Sequence, residues 1–415
     1  MELAFIGNNH LSIISALATA CKGFKVKIFF QNTKMKNNLS FLSDIHEPNL
    51  LRTYHKNKDK IRFSSDFTEL KKCKLVFFAI DTLTDQKGNT DLKNLKKELK
   101  QVVLNMKKNS SLINLSQVPP GFTRKINWSK KNLYYQVETL VFGNAIERAI
   151  NPERLIIGSS DSKIHDKNYY IFLKKFKCPI IINNYETAEL TKISINMFLV
   201  SSITLSNSIS DLCFKFKASW ESISNSLRLD KRIGKHAYLK PNLSLGGTNL
   251  IRDINVFKKI SKPVNKKIFK YFKMFETLNK ERKKILSKLI LKNYKNTKKT
   301  TICILGLSYK TNTNSLVNSP AIQLIKDFNN AKFNIHDPII TKLKVTHKNL
   351  KFSKSPMEAI KHSDILVICT PWEFYKKLPF KKIVSLLRGN VIIDPFSALN
   401  FQKTIKKVKY ITSTK

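Results

Sequence analysis

The sequence predicts an α/β protein with two Rossmann-like, doubly wound domains, joined by a helical middle with one long central helix. Three observations lead to this fold class. Two short apolar strands, near residues 3 and 301, each end in a glycine and precede a helical stretch, as in a nucleotide-binding βαβ unit. Between them lies a stretch without glycine or proline that places apolar residues at helical spacing.

The first predicted unit begins with the apolar strand Leu3–Ile6, which Gly7 follows. An Ala- and Ser-rich helix is expected over Leu11–Cys21, and Gly23 is the expected stop before a strand at Val26–Phe30. Further short apolar runs between polar segments are typical of a parallel sheet covered on both faces. These predicted strands are Leu75–Ile80, Ser111–Leu115 and Leu155–Gly158.

A long helix is predicted from Glu186 to about Phe216. The Lys-rich segment Lys280–Lys299 then leads to a second unit. Its predicted elements are the strand Thr301–Leu305, the helix Ala321–Phe328, and the strands Phe333–His336 and Ile365–Cys369. We therefore expect three domains, at residues 1–184, 185–297 and 298–415.

Composition restricts the class of protein further. The chain has 415 residues, enough for two or three domains with a sizeable core. No apolar run approaches the ~18–20 residues of a membrane span, and the N-terminus lacks the basic region of a signal peptide. The six cysteines show no Cys-x-x-Cys spacing, which argues against a metal site or disulfides and predicts a cytoplasmic location.

The net charge of +46, from 75 Lys+Arg against 29 Asp+Glu, has two interpretations. Dense basic residues attract nucleic acids through counterion release. The alternative is compositional bias, because the lysines accompany abundant Asn, Ile and Phe and are spread over every segment. We favour bias, since no known nucleic-acid-binding pattern accompanies the charge.

A dinucleotide pyrophosphate binds where a strand, a glycine and a helix N-terminus meet. Here that loop reads Gly7-Asn8-Asn9-His10-Leu11-Ser12, which keeps only the first glycine of G-x-G-x-x-G. Asn9 replaces the second glycine, so its side chain is expected where the phosphate should approach. The ribose-binding acid is absent near Phe30, and Asn32 is the nearest polar candidate. By itself the loop favours a structural turn over a dinucleotide site.

Six segments in order nevertheless resemble the UDP-glucose/GDP-mannose dehydrogenase family, across essentially the whole chain. They are Ile80-Asp81-Thr82 with Asp91-Leu92; Val118–Arg124 (VPPGFTR); Glu138 through Gly143–Ile146 to Pro152–Arg154 and Gly158; Ala188–Lys192 with Asn196; Arg232-Ile233-Gly234 with Gly246–Asp253; and Gly306–Lys310 with Ser319-Pro320-Ala321.

The resemblance implies an NAD-binding N-terminal domain, a dimerising central helix and a C-terminal domain that binds a UDP-sugar. Family members oxidise the C6 alcohol of the sugar to a carboxylate in two hydride transfers with two NAD. A Lys and an Asp stabilise the developing oxyanion. A Cys thiolate attacks the aldehyde to give a thiohemiacetal and then a thioester, and a Glu helps activate the hydrolytic water.

The matching positions give the candidate site residues that the resemblance implies. The catalytic candidates are Lys192, Asn196, Asp253, Glu138 and Asn249, and Lys192 and Asn196 share one helical face. The cofactor-binding candidates are Gly7, Asn9, Leu11, Thr82 and Gln117. The substrate-binding candidates are Arg232, which in the family reaches the substrate of a neighbouring subunit, and Gly246, Gly247 and Lys310.

The departures from the family pattern are concentrated at positions that act in catalysis or bind the nucleotide sugar. Asn249 stands at the position of the catalytic Cys, and no cysteine lies within twenty residues of it. Gln117 replaces a Thr and Phe142 replaces a Glu. Two arginines expected to hold the nucleotide sugar are missing from Asn314–Val317 and from Asp394–Ser397.

Two hypotheses remain after these comparisons of motif and chemistry. The first is an NAD-dependent oxidoreductase of a UDP-sugar that works between alcohol and aldehyde, without the full two-step oxidation. The second is a catalytically inactive family member with a binding or regulatory role. Both predict a homodimer or a higher homo-oligomer without a membrane, metal or nucleic-acid partner.

Overall fold

A computed structural model describes residues 1–30, 42, 45–85, 90–294, 300–343, 347–399 and 407–412. The chain divides into two compact units, Met1–Ile195 and Asn196–Lys415. The boundary between the units falls inside the long central helix, so each unit contains one part of that helix.

The first unit is built on an eight-stranded sheet. Its strands are β1 (Glu2–Ile6), β2 (Lys25–Phe29), β3 (Ile61–Ser64), β4 (Leu75–Phe78), β7 (Ser111–Asn114), β8 (Leu133–Gln136), β9 (Leu155–Ser159) and β10 (Ile180–Asn184), and a separate antiparallel pair is formed by β5 (Leu83–Thr84) and β6 (Thr90–Asp91). The order across the sheet is β10-β9-β8-β7-β4-β1-β2-β3. Neighbouring strands are parallel except β8 and β9, which are antiparallel.

Helices and short 3₁₀ turns connect these strands. The helices are α1 (His10–Cys21), α2 (Leu50–Asn57), α3 (Lys93–Asn105), α4 (Ala145–Ile150) and α5 (Lys167–Lys174), followed by the long helix α6 (Tyr185–Phe216). The 3₁₀ turns are Lys58–Lys60, Phe67–Lys72, Thr123–Lys125 and Lys130–Asn132.

The core of the first unit lies on both faces of its sheet. In β1, Leu3 and Phe5 pack into one apolar cluster, whereas Ala4 and Ile6 pack into the other. Because successive side chains of a strand point to opposite faces, this alternation shows that the sheet is covered on both sides. The Phe5 ring stacks on that of Phe77 in β4, with 4.6 Å between the ring centroids.

The second unit contains the rest of α6 and a six-stranded sheet. Its helices are α7 (Trp220–Leu229), α8 (Asn249–Ser261), α9 (Lys266–Arg282), α10 (Ile285–Asn293), α11 (Pro320–Asp327), α12 (Pro356–Ile360) and α13 (Phe380–Leu386), with a 3₁₀ turn at Glu373–Lys377. Its strands are β11 (Thr301–Leu305), β12 (Lys332–His336), β13 (Leu350–Phe352), β14 (Ile365–Ile368), β15 (Val391–Ile393) and β16 (Lys409–Ile411).

The sheet of the second unit has the order β13-β12-β11-β14-β15-β16, and neighbouring strands are parallel throughout. Chain order therefore reverses between β11 and β14, as in a doubly wound nucleotide-binding fold. Ile302 and Ile304 pack on one face, and Cys303 and Leu305 on the other. The structure thus confirms the predicted fold class.

The N-terminal part of α6 is anchored in the core of the first unit. The Tyr185 hydroxyl donates to the carbonyl oxygen of Leu133 at 2.9 Å. Ala188 packs directly on Gly158: a Cβ added to Gly158 would lie only 2.9 Å from the Cβ of Ala188. The fully buried Glu189 carboxylate accepts the N–H groups of Gly121 (2.5 Å) and Thr123 (2.8 Å). This carboxylate fixes the VPPG loop to the helix.

The sequence analysis found no uninterrupted apolar run of ~18–20 residues. As a helix, however, Tyr185–Cys213 of α6 is long and apolar enough to cross a membrane by length and composition alone, since one 18-residue window within it has a mean hydropathy of 1.2. The core helix of a water-soluble protein passes the same test. The buried, hydrogen-bonded Glu189 is a feature of such a packed core helix.

The elements predicted from apolar runs are confirmed to within about two residues at each end. The sequence analysis did not predict β3, β8, β10, β13, β15 and β16, which are short and adjoin polar residues. The proposed division into three domains remains a prediction.

Replacement of Glu189 by Ala should destabilise the protein strongly. It leaves two buried backbone N–H groups without an acceptor, each worth about 1–3 kcal/mol. We expect the free energy of unfolding to fall by about 2–4 kcal/mol, measured by urea denaturation.

Glu186→Ala on the same helix is the matched control. Glu186 is partly exposed and accepts from the Arg124 guanidinium at 2.6 Å, an interaction expected to contribute less than about 1 kcal/mol. Equal losses in the two variants would contradict an anchoring role for Glu189.

Candidate functional site

The carboxyl ends of β1 and β4 meet where the strand order of the first unit reverses. Ligands of open α/β sheets bind at such a point. Gly7 ends β1 with φ +126°, and a Cβ there would lie 2.9 Å from the carbonyl oxygen of Ala79, which follows β4. The close approach of the two strand ends therefore requires glycine at position 7.

Asn9 is held at this point by two hydrogen bonds that the sequence did not predict. Its Oδ1 accepts the Ser12 N–H at 3.0 Å and caps α1, while its Nδ2 donates to the Ala79 carbonyl oxygen at 2.8 Å. The side chain is thus bonded to the protein on both sides. The other N–H groups of the first turn have no partner inside the helix, so the residues present fit a dinucleotide pyrophosphate.

Glu47 is a buried carboxylate beside this crevice that the sequence analysis missed. It accepts the N–H groups of Gly143 (3.0 Å) and Ala145 (2.7 Å), and its Oε2 lies 3.1 Å from Nε2 of His10, the first residue of α1. Burial raises the pKa of the Glu47 carboxyl, but the hydrogen bonds from His10 and the two backbone groups outweigh it, so the pKa is lowered. Glu47 thereby joins the first turns of α1 and α4.

The remaining cofactor candidates line the same end of the sheet. The Thr82 hydroxyl donates to the carbonyl oxygen of Gln117 at 2.6 Å, which connects the segments after β4 and β7. Leu11 is partly buried against the core beneath α1. Asn32, the candidate for the ribose, lies outside the described residues. The His10 ring packs on that of Phe142, with 4.3 Å between centroids.

Glu138 and Lys192, two of the catalytic candidates, meet in the first unit. The Lys192 ammonium donates to the backbone carbonyl oxygen of Glu138. The Glu138 carboxylate accepts from Nε2 of Gln136 at 2.8 Å. Burial raises its pKa, which the hydrogen bond from Gln136 and the charge of Lys192 offset in part. A carboxyl whose pKa is raised by burial is better suited to exchange a proton than a fully exposed one.

Three other catalytic candidates lie together in the second unit. Nδ2 of Asn196 donates to Oδ2 of the fully buried Asp253 at 2.5 Å, and Nε of Arg252 lies 3.4 Å from Oδ1 of Asp253. Asn249 is the exposed first residue of α8, one turn before Asp253 on the same helical face. This group can hydrogen-bond and stabilise an oxyanion, but its carboxamides cannot act as nucleophiles.

The substrate candidates of the second unit fall into two places. Gly246 packs on Tyr309, where a Cβ would approach the ring within 2.5 Å, and the N–H of Gly247 donates to the Val317 carbonyl oxygen at 2.9 Å. The Lys310 ammonium lies 5.8 Å from the centroid of the Tyr309 ring, so these three candidates share one region. Arg232 lies apart from them, exposed and paired with Asp230 at 2.6 Å.

No cluster of three potential metal-ligating side chains occurs within the described part of the chain.

Three family models match successive parts of the chain. Residues 1–175 match the NAD binding domain of the UDP-glucose/GDP-mannose dehydrogenase family. Residues 186–281 match its central domain, and residues 303–401 match its UDP binding domain.

Individual relatives cover almost the whole chain. A UDP-glucose 6-dehydrogenase of Rickettsia bellii is 28% identical over 419 residues, which cover 95% of this chain and 94% of the relative. UDP-glucose 6-dehydrogenase TuaD of Bacillus subtilis is 27% identical over 410 residues, which cover 95% of this chain and 88% of the relative.

Solved structures share the fold. A UDP-D-ManNAc dehydrogenase from Pyrococcus horikoshii superposes with a TM-score of 0.83 at 19% identity, covering 100% of this chain and 99% of that one. A UDP-glucose dehydrogenase from Pyrobaculum islandicum gives a TM-score of 0.82 at 20% identity, covering 100% and 97% of the two chains.

The lowered pKa of Glu47 predicts a specific pH dependence of stability. A carboxyl whose pKa is depressed by folding stabilises the protein above the pKa of the unfolded chain, about 4.3, and loses this contribution as the pH falls through the folded-state pKa. We expect Glu47→Gln to unfold about 1–3 kcal/mol more easily at pH 7. The difference should shrink as the pH falls below about 4, measured by urea denaturation across pH.

Glu147→Gln serves as the control, because the Glu147 carboxylate on α4 is exposed and accepts from the Asn151 side chain at the end of the same helix. It should change stability by less than about 0.5 kcal/mol at any pH. A difference between wild type and Glu47→Gln that stays constant down to low pH would contradict the anchoring role.

Proposed function

The chain belongs to the UDP-glucose/GDP-mannose dehydrogenase family, and on this basis we propose that it oxidises the C6 alcohol of a UDP-sugar to the aldehyde with NAD. The observation that carries the proposal is the turn from β1 into α1, where Gly7 approaches the Ala79 carbonyl oxygen closely; this turn lies within the match to the family's NAD binding domain. The match of residues 303–401 to the UDP binding domain supports a UDP-sugar as the substrate.

NAD, when bound, supplies the acceptor for the hydride. In the proposed oxidation the alcohol R–CH₂OH loses a hydride from carbon and a proton from oxygen, and the products are R–CHO, NADH and H⁺. The first-turn N–H groups of α1 that Asn9 leaves free would hold the pyrophosphate. In the first unit, Lys192 supplies positive charge and Glu138 supplies a carboxyl that exchanges protons.

In the second unit, Asn196 and Asp253 match positions with a catalytic role in the family. The amide of Asn196 and the buried carboxylate of Asp253 hold each other in place. Following the family pattern, we propose that this pair orients a water molecule, which hydrogen-bonds to the negative charge that develops on the oxygen of the substrate. We assign Gly246, Gly247 and Lys310 to the sugar nucleotide, and the exposed Arg232 to the substrate of a neighbouring subunit.

Asn249 limits the proposed reaction to its first half. Conversion of an aldehyde to a carboxylate through a thioester needs a thiolate, and a carboxamide does not replace it. The N-terminal position of Asn249 on α8 would otherwise suit a reactive thiol, because helix N-termini lower thiol pKa values.

The same substitution favours a second candidate function, a catalytically inactive member that binds NAD or a UDP-sugar. Calorimetry separates the two. Binding of both compounds without any NADH formation would support the inactive member and contradict the oxidoreductase.

We further propose a cytoplasmic homo-oligomer. All six cysteines lie in the described residues as free thiols, as expected of a reducing compartment. Within the second unit, α6 exposes large apolar side chains one or two turns apart, which a second copy of the helix can cover. They are Phe198 (78% exposed), Leu205 (62%), Leu212 (55%) and Phe216 (70%).

The purified protein should form one NADH for each UDP-glucose that it consumes when hydroxylamine is present to trap the aldehyde. The trap draws the first oxidation forward, and mass spectrometry should identify the oxime of the sugar nucleotide. Asn249→Cys without the trap should form two NADH and release the uronic acid, because the thiol restores the covalent step.

Thr248→Cys is the control, since it introduces a thiol one residue away from the required position. Formation of uronic acid by the wild type at a rate similar to that of Asn249→Cys would contradict the assignment of Asn249. If Asn249→Cys gains no second oxidation, the defect includes binding of NAD or the sugar nucleotide.

Leu205→Glu should dissociate the oligomer, because it places a charge in a proposed apolar interface. Analytical ultracentrifugation should show a shift from dimer to monomer. Leu104→Glu, at a 73% exposed leucine of the first unit, is the control and should leave the oligomer intact. An unchanged dimer in Leu205→Glu would contradict this interface.

A further inference from the structure

A chain of hydrogen bonds leads from the Glu138 carboxylate into the core of the first unit. Nε2 of Gln136 donates to Oε1 of Glu138 at 2.8 Å. The hydroxyl of Tyr169 in turn donates to Oε1 of Gln136 at 2.9 Å. Gln136 ends β8 and Tyr169 lies on α5, so two elements of the fold act on one carboxylate.

The inner members of this chain are held rigidly by burial. Gln136 is 4% exposed, and Tyr169 is fully buried with its ring 4.6 Å from that of Tyr134. Burial raises the pKa of Tyr169 well above its usual value, so its hydroxyl keeps its proton at working pH. The hydroxyl therefore keeps a proton to donate, and in the structure Oε1 of Gln136 accepts it.

This polarity determines the orientation of the Gln136 amide. With its oxygen bonded to Tyr169, the amide can present only N–H donors to Glu138. A donor favours the ionised form of a carboxyl, whereas an amide oxygen at the same place would disfavour it. The core hydroxyl thus determines which form of the Glu138 carboxyl is stabilised.

We propose that Gln136 and Tyr169 are positioning residues that hold Glu138 as an oriented carboxylate, ready to accept a proton. This role in the reaction rests on the proposed function. Neither residue touches the substrate or the cofactor in this proposal; both act through Glu138.

The charge of Lys192 acts in the same direction as the Gln136 donor, against burial, which raises the pKa of the Glu138 carboxyl. Lys192 on α6 bonds to the Glu138 carbonyl oxygen, and its charge lowers the pKa of the carboxyl. Arg148 and Arg154 line the same small cavity of about 30 Å³ as Glu138, together with Ser15 and Gln136. The buried Ser15 hydroxyl has no hydrogen-bond partner among the described residues, and the cavity is large enough for one or two water molecules.

The test measures the titration of Glu138 directly by ¹³C NMR of protein labelled at the glutamate carboxyl carbons. Glu138→Gln identifies the signal. Gln136→Met, which keeps the length of the side chain but removes its donors, should raise the titration midpoint by about one pH unit or more. Tyr169→Phe, which keeps the ring, should raise it by a smaller amount.

The double variant distinguishes a chain from two independent effects. Because Tyr169 acts only through Gln136, adding Tyr169→Phe to Gln136→Met should not move the midpoint further. Tyr134→Phe is the matched control: it removes a neighbouring buried hydroxyl that donates to the Lys131 carbonyl oxygen and accepts the N–H groups of His165 and Asp166, at the start of α5, but does not bond to Gln136 or Glu138. It should leave the titration of Glu138 unchanged.

An unchanged midpoint in Gln136→Met and Tyr169→Phe would overturn the proposal, as would a shift of equal size in Tyr134→Phe. The acid limb of the pH profile of NADH formation should move upward in parallel with the NMR midpoints. If the variants shift the Glu138 signal as described but the protein has no dehydrogenase activity, the hydrogen-bond chain is supported and the proposed function is contradicted.

Discussion

The burial of both faces of each sheet is the constraint on which the other features depend. A strand such as β1 or β11 has no face left for polar chemistry, because its side chains alternate between two apolar clusters. The polar residues of these two strands, Glu2 and Thr301, are therefore at their ends. In the first unit the carboxyl ends carry Gly7, Ala79, Thr82 and Gln117, and in the second unit Gly306 meets Thr370 at the equivalent reversal of strand order.

Backbone N–H groups and amides, more than lysine or arginine, hold several buried carboxylates of this strongly basic chain. Glu189 and Glu47 each accept two backbone N–H groups, and the Asn196 amide donates to Asp253. A backbone donor is fixed by the fold and needs no ordering of a long side chain. The net charge of +46 thus contributes little to these contacts, in agreement with its interpretation as a compositional bias.

The sequence was sufficient to predict what local pattern determines. The strands β1 and β11, the helix α6 and the glycines after the strands follow from apolar runs and turn residues. Glu47 could not be predicted in the same way, because its partners Gly143 and Ala145 lie 96 and 98 residues away. Asn9 was placed in the path of the phosphate because a residue type does not show its hydrogen-bond partners; the carbonyl oxygen that binds it is 70 residues away.

The double hydrogen bond of Asn9 has a consequence for how the crevice meets a ligand. A glycine-rich loop with three glycines is free to move until a dinucleotide orders it, and that ordering weakens binding. Here the Ser12 N–H and the Ala79 carbonyl oxygen fasten the loop to the helix and to the neighbouring strand end before any ligand arrives. The loop is therefore preorganised. Asn9 in place of a glycine lowers the conformational entropy of the loop in the free protein, so less conformational entropy is lost when a complex forms.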